Sequence, residues 1–115
     1  MRPTVYIPNF NGERHLGAAL ESLRAQSRPV DVVVVDNASS DSSVELVREG
    51  HPEVTLLRTG ANLGFGPALN RAVREHPADP IILFNNDAVA SPRFVEALLD
   101  EHATGAEAVA GVLTQ

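Results

Sequence analysis

The chain has 115 residues, enough for one domain or part of one, and a formal net charge of −6 at pH 7. This acidic balance argues against a nucleic-acid polymer as a partner, because binding one needs a basic surface. Lysine and cysteine are absent and all nine basic residues are arginine, which excludes a phosphate-binding lysine of the Walker type, a lysine Schiff base and a thiolate nucleophile or metal ligand.

Strand-like apolar runs alternate with segments of helical period, which predicts an α/β fold with a mainly parallel sheet. The first strand is predicted over 4–7, and Pro8-Asn9-Phe10-Asn11-Gly12 forms the turn after it. A helix is predicted over 13–26, where Ser27-Arg28-Pro29 ends it. Its apolar face consists of Leu16, Ala19, Leu20 and Leu23.

The second strand is predicted over 30–35, and a polar loop over 37–41 follows it. Ser42-Ser43-Val44-Glu45 has the spacing of a capping box and is expected to open a second helix, which ends near Gly50 and Pro52. A short third strand covers 54–57, and the loop 58–64 leads to a helix over 66–75. The inward side chains of that helix are Ala68, Leu69, Ala72 and Val73.

The fourth strand is predicted over 81–84. Ser91 is expected to cap a helix that has Pro92 at its first position and runs to about His102, and a fifth strand is predicted over 108–113. No apolar run reaches membrane-spanning length and no signal peptide is recognisable. We therefore expect a cytoplasmic protein, which is compatible with work at the inner face of a membrane.

Two acidic residues follow two apolar strands, Asp36 after the second and Asp87 after the fourth. In an open parallel sheet, ligands bind at the carboxyl ends of the strands. Four loops rich in Asn, Asp, Ser and Gly should therefore meet at one edge of the sheet: 8–12, 36–41, 61–64 and 85–87. This pattern favours a site for a nucleotide or a nucleotide sugar.

Asp87 is the strongest candidate for a metal ligand. A Mg²⁺ or Mn²⁺ ion prefers oxygen ligands and is commonly held by one or two carboxylates together with substrate phosphates. Asn85 and Asn86 add amide groups suited to sugar or ribose hydroxyls. The alternative is a local turn after the strand, because Asn and Asp favour turns.

Other loop residues have two interpretations each. Asp36 accepts hydrogen bonds from a base or a ribose, or it helps to cap the next helix. Phe10 stacks on a nucleobase, or it packs the first helix against the sheet. Asn62-Leu63-Gly64 is a turn in which Gly64 supplies a positive φ, or a place where the backbone approaches a phosphate.

The histidines and most of the arginines are expected on the solvated surface. The histidines show no metal-ligand spacing: they are His15, His51, His76 and His102. Four arginines could each contact a diphosphate, and the sequence does not single one out: Arg58, Arg71, Arg74 and Arg93.

Four ordered motifs span nearly the whole chain: Val5-Tyr6-Ile7-Pro8-Asn9-Phe10-Asn11-Gly12, Val34-Val35-Asp36-Asn37-Ala38-Ser39-Ser40-Asp41-Ser42, Asn62-Leu63-Gly64-Phe65-Gly66 with Asn70, and Leu83-Phe84-Asn85-Asn86-Asp87. In these motifs the chain resembles the N-terminal, nucleotide-sugar-binding half of family 2 glycosyltransferases, and its Asn-x-Asp form is similar to the branch that includes rhamnosyltransferases. The resemblance implies the GT-A fold, a Rossmann-like three-layer α/β/α sandwich, truncated here to a partial domain over 1–115 that lacks the acceptor half.

The resemblance also implies an activity, which is metal-assisted transfer of a sugar, with inversion, from a nucleotide-diphosphate sugar to an acceptor hydroxyl. The donor would be linked to UDP, dTDP or GDP, and the acceptor would be a carbohydrate or a lipid-linked molecule in cell-wall or polysaccharide biosynthesis. Apolar surface exposed by the truncation could be covered by self-association into a homo-oligomer.

Residue roles are carried over by position. Pro8, Asn9 and Phe10 would line the base pocket, and Asp36 would bind the uracil or thymine. Asn85 stands near the ribose, where many relatives have a carboxylate, and Asp87 would hold Mg²⁺ or Mn²⁺ on the donor diphosphate. The remaining predicted donor contacts are Asn11, Asn37, Asn62, Gly64, Asn70 and Asn86. Leu69 precedes Asn70 where many relatives carry arginine.

Family members carry a general base in a later segment, and the carboxylates after Asp87 match no such motif: Glu96, Asp100, Glu101 and Glu107. No catalytic residue is therefore assigned, and we expect little or no transferase activity from these 115 residues alone. A non-catalytic nucleotide-sugar-binding module is the main alternative. A phospho-acceptor receiver domain and a sugar nucleotidyltransferase fit less well, since the late lysine of the first and the Gly-rich basic loop of the second are absent.

Overall fold

The computed structural model of the chain describes residues 3–103. A four-stranded, all-parallel sheet has the strand order β3-β2-β1-β4, with β1 at Thr4–Asn9, β2 at Asp31–Asp36, β3 at Thr55–Arg58 and β4 at Ile81–Leu83. The helices are α1 at Leu16–Arg24, α2 at Ser43–Gly50, α3 at Phe65–Glu75 and α4 at Phe94–Ala103. The predicted α/β fold is confirmed, and the strand order reverses at β1, the kind of place where such sheets form a ligand crevice.

The central strands are buried on both faces. β1 and β2 pair over six residues, from Thr4 opposite Asp31 to Asn9 opposite Asp36. The side chains at 5–7 in β1 and 33–35 in β2 are at most 3% exposed, which explains why their sequences are continuous apolar runs and do not alternate. The edge strand β4 differs, because Ile81 and Leu83 are partly exposed on either side of the buried Ile82.

Helices cover both faces of the sheet and give the predicted three layers. On one face, Val5, Ile7 and Val34 pack with side chains of α1, α2 and α4. On the other face, Tyr6 and Val33 pack against α3, which presents the small residues Ala68 and Ala72. The Tyr6 hydroxyl donates a hydrogen bond to the carbonyl of His76, and burial raises the pKa of Tyr6. No helix within 3–103 has both the length and the apolar character that crossing a membrane requires.

Several element boundaries differ from the prediction. β1 continues through Asn9, whose carbonyl accepts a hydrogen bond from Asn37 N at 2.9 Å, so Pro8 and Asn9 belong to the strand and not to the turn. Helix α1 begins at Leu16 and not at residue 13, while β4 ends one residue early, at Leu83. The predicted strand over 108–113 lies outside the described residues.

Helix α2 opens at the predicted segment, directly after Ser42, but the predicted capping bond of Ser42 and the predicted start of the last helix at Ser91 are wrong. Ser42 makes no side-chain hydrogen bond to helix α2, and Asp41 Oδ1 instead accepts one from Ser43 N at 2.9 Å. Helix α4 begins at Phe94, three residues after the expected cap Ser91, whose carbonyl accepts hydrogen bonds from Phe94 N and from the side chain of Gln26.

The predicted exposure of His51 is also wrong. This residue is 5% exposed at the end of α2, and its Nδ1 lies 2.9 Å from Arg24 Nη2. Glu21 and Glu53 lie within 3.7 Å of its ring nitrogens. The α1 side chains therefore shield it from solvent. His15 is exposed, His76 is half-buried, and the side chain of His102 lies outside the described set.

Candidate functional site

One buried side chain joins the ends of three neighbouring strands. Asn9, the last residue of β1, donates from Nδ2 to Asp36 Oδ1 at the end of β2, at 3.1 Å. Its Oδ1 accepts a hydrogen bond from Asn86 Nδ2, in the loop after β4, at 2.9 Å. The structure therefore brings Asp36 and the loop that carries Asp87 to the same edge of the sheet, as the sequence predicted.

The Asp36 carboxylate is held in a fixed position. It is 1% exposed and accepts hydrogen bonds from Ser39 Oγ at 2.7 Å and Ser39 N at 3.1 Å, in addition to the one from Asn9. A carboxylate has about four acceptor positions. Three are in use, which leaves roughly one for a ligand group.

The loop after β2 is tied to the turn after β1. Asn11 Oδ1 accepts hydrogen bonds from Ser40 N at 2.8 Å and Asp41 N at 3.3 Å, and Asn11 N donates to Ser39 Oγ at 2.9 Å. Asn11 and Ala38 both have a positive φ, at 52° and 68°. The side chain of Asn11 is thus engaged in shaping the loop, a role that the sequence did not reveal.

Asp41 completes this connection by accepting hydrogen bonds from Glu13 N at 3.1 Å and from the backbone and hydroxyl of Ser43. Burial opposes ionisation of the Asp41 carboxyl, but the hydrogen bonds from Ser43 and Glu13 outweigh it and lower its pKa below the usual value. The loop is consequently better held when Asp41 is ionised.

A second pair of asparagines anchors the loop after β3. Asn37 Nδ2 donates to Asn62 Oδ1 at 2.8 Å, and Asn37 Oδ1 accepts from Leu63 N at 3.0 Å. Gly64 has φ 80° and donates from its backbone to Asn62 Oδ1 at 3.1 Å, which confirms the turn that needs a positive φ. All four predicted loops therefore meet at the carboxyl edge.

Aromatic and aliphatic side chains are exposed around this edge. Phe10 is 44% exposed and lies outside both core clusters, so the alternative in which it packs α1 against the sheet is wrong. Leu63 and Phe65, whose side chains were given no predicted role, are also exposed there. Pro8 is half-buried, and Asn70 is exposed on α3.

Asp87 is exposed, and no hydrogen bond or ion pair from residues 3–103 engages its side chain. Asn85 beside it is exposed as well. No group of three or more His, Cys, Asp or Glu side chains that could hold a metal ion occurs in this part of the chain. A metal at this edge would therefore have one carboxylate ligand from Asp87 and would take its other ligands from a bound diphosphate and water.

Gly12 is a further residue of the site whose importance the sequence did not reveal. A Cβ atom there would lie 2.2 Å from Asn86 Nδ2 and 2.4 Å from Asn9 Oδ1, and Gly12 is itself buried. The backbone after β1 thus closes directly over the hydrogen bond between Asn9 and Asn86. The only local signal was a glycine three residues after an asparagine at a strand end.

The structure separates the four candidate arginines. Arg71 pairs with Glu75, and Arg93 pairs with Glu96, whose pKa it lowers. Arg58 ends β3 directly opposite Asp36 in the sheet register and is exposed at the carboxyl edge. Arg74 is exposed in the last turn of α3, so Arg58 is the candidate that the sheet register places opposite a predicted site residue.

A cavity of about 260 Å³ opens at the opposite, amino edge of the sheet. Arg24, Arg28, Asp31 and Glu53 provide its charged lining, with apolar side chains from α1 and the start of β2. This cavity lies away from every predicted donor contact. It is therefore the alternative binding place with which the candidate site can be compared in an experiment.

The sequence of the chain is similar to sequences of known proteins. The family model described as Glycosyl transferase family 2 matches residues 4–115. The chain is 38% identical over 98 residues to an N-acetylglucosaminyl-diphospho-decaprenol L-rhamnosyltransferase of Mycobacterium tuberculosis, in an alignment that covers 75% of this chain and 32% of the relative.

Solved structures show the same architecture. TarS 1-349 of S. aureus, in complex with UDP, aligns with a TM-score of 0.77 at 25% identity and covers 90% of this chain and 33% of that one. The mannosyltransferase PcManGT from Pyrobaculum calidifontis, in complex with GDP-Man and Mn²⁺, aligns with a TM-score of 0.79 at 29% identity, over 85% of this chain and 31% of that one. The chain spans about a third of the length of these relatives.

Proposed function

The chain belongs to glycosyl transferase family 2 and has the GT-A fold, and we propose from this that residues 3–103 bind the nucleotide-diphosphate sugar donor at the carboxyl edge of the sheet. The observation that carries the proposal is the hydrogen-bonded line from Asp36 through Asn9 to Asn86, with the exposed Asp87 next to it. It joins three strand ends at the point where the strand order reverses, where α/β sheets bind ligands.

The residues divide between the two ends of the donor. At the nucleoside end, Phe10 is exposed for stacking on a base, and Asp36 keeps about one acceptor position for a base N–H or a ribose hydroxyl. At the diphosphate end, Asp87 would hold Mg²⁺ or Mn²⁺, and Asn85 would contact the ribose. When bound, the metal supplies Lewis-acid neutralisation of the departing nucleotide diphosphate. The Mn²⁺ in the PcManGT complex supports this assignment.

The relatives suggest the substrates. TarS binds UDP and PcManGT binds GDP-Man, and the mycobacterial relative is named for a lipid-linked acceptor. We propose a UDP-, dTDP- or GDP-linked donor and a carbohydrate or lipid-linked acceptor, used at the inner face of a membrane.

We assign no general base within residues 3–103. Glu96 accepts a hydrogen bond from Ser27, which follows α1 at the amino edge of the sheet, so this carboxylate faces away from the donor site. Asp100 lies further along the same helix, and Asp87 is assigned to the metal. The acceptor hydroxyl would then take its general base from outside residues 3–103.

Thermal denaturation with UDP, dTDP and GDP, each with and without Mn²⁺, tests the proposal. A nucleotide at a hundred times its Kd stabilises the protein by about 2.7 kcal/mol. We expect a shift that depends on Mn²⁺ in the wild type and in Asp100→Asn, an exposed carboxylate control on α4, and its loss in Asp87→Asn. Absence of a shift with every nucleotide would refute the donor site. Product formation then distinguishes a transferase from a non-catalytic binding module.

A further inference from the structure

We infer that Asn9 is a positioning residue that couples the nucleoside end of the donor site to its metal end and does not touch the donor itself. This inference rests on the function proposed above. The family resemblance implied that Asn9 lines the base pocket. The structure gives a different basis for its importance, because both polar atoms of this buried side chain are hydrogen-bonded within the protein.

The polar atoms of the Asn9 side chain are occupied within the protein. Nδ2 donates to Asp36 Oδ1 at 3.1 Å and to Ser39 Oγ at 3.3 Å. Oδ1 accepts from Asn86 Nδ2 at 2.9 Å. Both polar atoms are thus engaged inside the protein, so a direct donor contact would require this side chain to rearrange its hydrogen bonds.

The backbone around Asn9 fixes this arrangement. Asn9 lies opposite Asp36 in the ladder between β1 and β2, and its carbonyl accepts a hydrogen bond from Asn37 N at 2.9 Å. On the other side, Gly12 closes over the bond between Asn9 and Asn86, leaving no room even for a methyl group. The amide is therefore held in this orientation by partners on both sides.

The Asn9 amide joins two regions that contact the ligand, so a movement of one region shifts the other. If the donor base moves Asp36, the movement reaches Asn86 through a single side chain, and with it the loop that carries Asp87. Coupling between two parts of a site is reciprocal, so metal binding at Asp87 also raises the affinity for the base. Buried, fully satisfied hydrogen-bond networks are stiff enough for this, because losing one bond leaves a buried group unpaired.

The test measures how much the metal improves nucleotide affinity. We define the metal factor as the Kd without metal divided by the Kd with Mn²⁺, measured by titration calorimetry on the 115-residue chain. UDP, dTDP and GDP are titrated in parallel, and the tightest of them is used for the variants. Gln26→Ala is the matched control, because Gln26 is likewise an amide that links two segments, α1 and α4, but at the opposite edge of the sheet.

Asn9→Ala should lower the metal factor at least about fivefold, the smaller end of typical coupling between sites. Gln26→Ala should leave the metal factor at its wild-type value, even where its melting temperature falls. Circular dichroism establishes that each variant is folded at the titration temperature.

Asn9→Asp is the second variant, and it keeps the shape of the side chain. Near neutral pH this variant places a second carboxylate beside Asp36. At lower pH the two close carboxylates share one proton, and this proton restores a hydrogen-bond donor between the two side chains. The metal factor of this variant, relative to wild type at the same pH, should be low at about pH 8 and should recover at about pH 5.5. This variant carries the test if Asn9→Ala does not fold.

The outcomes separate the inference from the proposed function. A wild-type chain that binds no nucleotide would refute the function, and the inference with it. Suppose that Mn²⁺ improves nucleotide binding in the wild type and that the Asn9 variants have the same metal factor. This result would overturn the inference alone, even if those variants bind the nucleotide more weakly. A recovered factor in Asn9→Asp at low pH supports coupling through this amide.

Discussion

Replacing Gly12 with alanine tests whether the backbone after β1 closes tightly over the site. The new Cβ would lie 2.2 Å from Asn86 Nδ2 and 2.4 Å from Asn9 Oδ1, and ordinary van der Waals contact lies between 3.4 and 4 Å. The side chain of Asn86 would have to move by about 1 Å. That movement breaks the 2.9 Å hydrogen bond that Asn9 Oδ1 accepts from it.

The expected loss of stability follows from three contributions. Leaving the buried Asn9 Oδ1 unpaired costs about 1–3 kcal/mol. Overpacking around the new methyl group costs about 1–3 kcal/mol more. The smaller conformational freedom of alanine in the unfolded chain offsets about 0.4–1 kcal/mol. We expect the free energy of unfolding of Gly12→Ala to fall by about 1–5 kcal/mol, and the melting temperature by at least about 4 °C.

Urea unfolding followed by circular dichroism measures this difference. Gly17→Ala is the matched control, because a Cβ at Gly17 in α1 would meet only Leu46 Cδ1, at 3.8 Å. That variant should gain roughly 0.5–1 kcal/mol from the higher helix propensity of alanine. Equal stability of the two variants would refute the close approach at Gly12 and, with it, the tight cover over Asn9 and Asn86.

Two further predictions concern the loop after β2. Ala38 has φ 68°, a backbone conformation that disfavours side chains, so Ala38→Gly should raise the free energy of unfolding by up to about 1 kcal/mol in urea titrations, and a decrease would contradict the assigned strain. Burial opposes the ionisation of Asp41, but hydrogen bonds from Ser43 and Glu13 prevail and hold its pKa below the usual 3.8. Because the unfolded chain then binds this proton more readily than the folded one, the contribution of Asp41 to stability should be fully present above about pH 5 and should fall as pH drops below about 4. Asp41→Asn should reduce that fall, and an identical pH profile in both proteins would contradict the role given to the carboxylate.

The architecture could be predicted from the sequence because its causes are local and general. Val32–Val35 and the residues around Tyr6 form continuous apolar runs, as strands buried on both faces must. Parallel strands joined by helices then require their carboxyl ends to share one edge, and this rule alone predicts that Asp36 and Asp87 lie at the same edge.

The features that escaped prediction depend on contacts between residues distant in the sequence. Asparagine is typical of turns, and Asn9 contacts Asp36 at the end of β2 and Asn86 in the loop after β4, both distant in the sequence. His51 resembles a surface residue ahead of a proline, but Arg24 covers it from α1. The start of α2 depends on a smaller difference, because Asp41 and Ser42 are adjacent and either side chain could accept a hydrogen bond from the first turn. The additional hydrogen bond from Glu13 N favours Asp41.

The donor site at the carboxyl edge is tested most directly by mapping a bound Mn²⁺–nucleotide complex on the protein. Paramagnetic Mn²⁺ broadens amide NMR signals according to their distance from the ion. With the tightest-binding nucleotide diphosphate and substoichiometric Mn²⁺, broadening should be strongest at Asn85–Asp87, strong at residues 36–39 and weakest at residues 31–33 and 53–55, beside the amino-edge cavity. Strongest broadening at the amino edge, or nucleotide-dependent broadening with no pattern, would contradict the account.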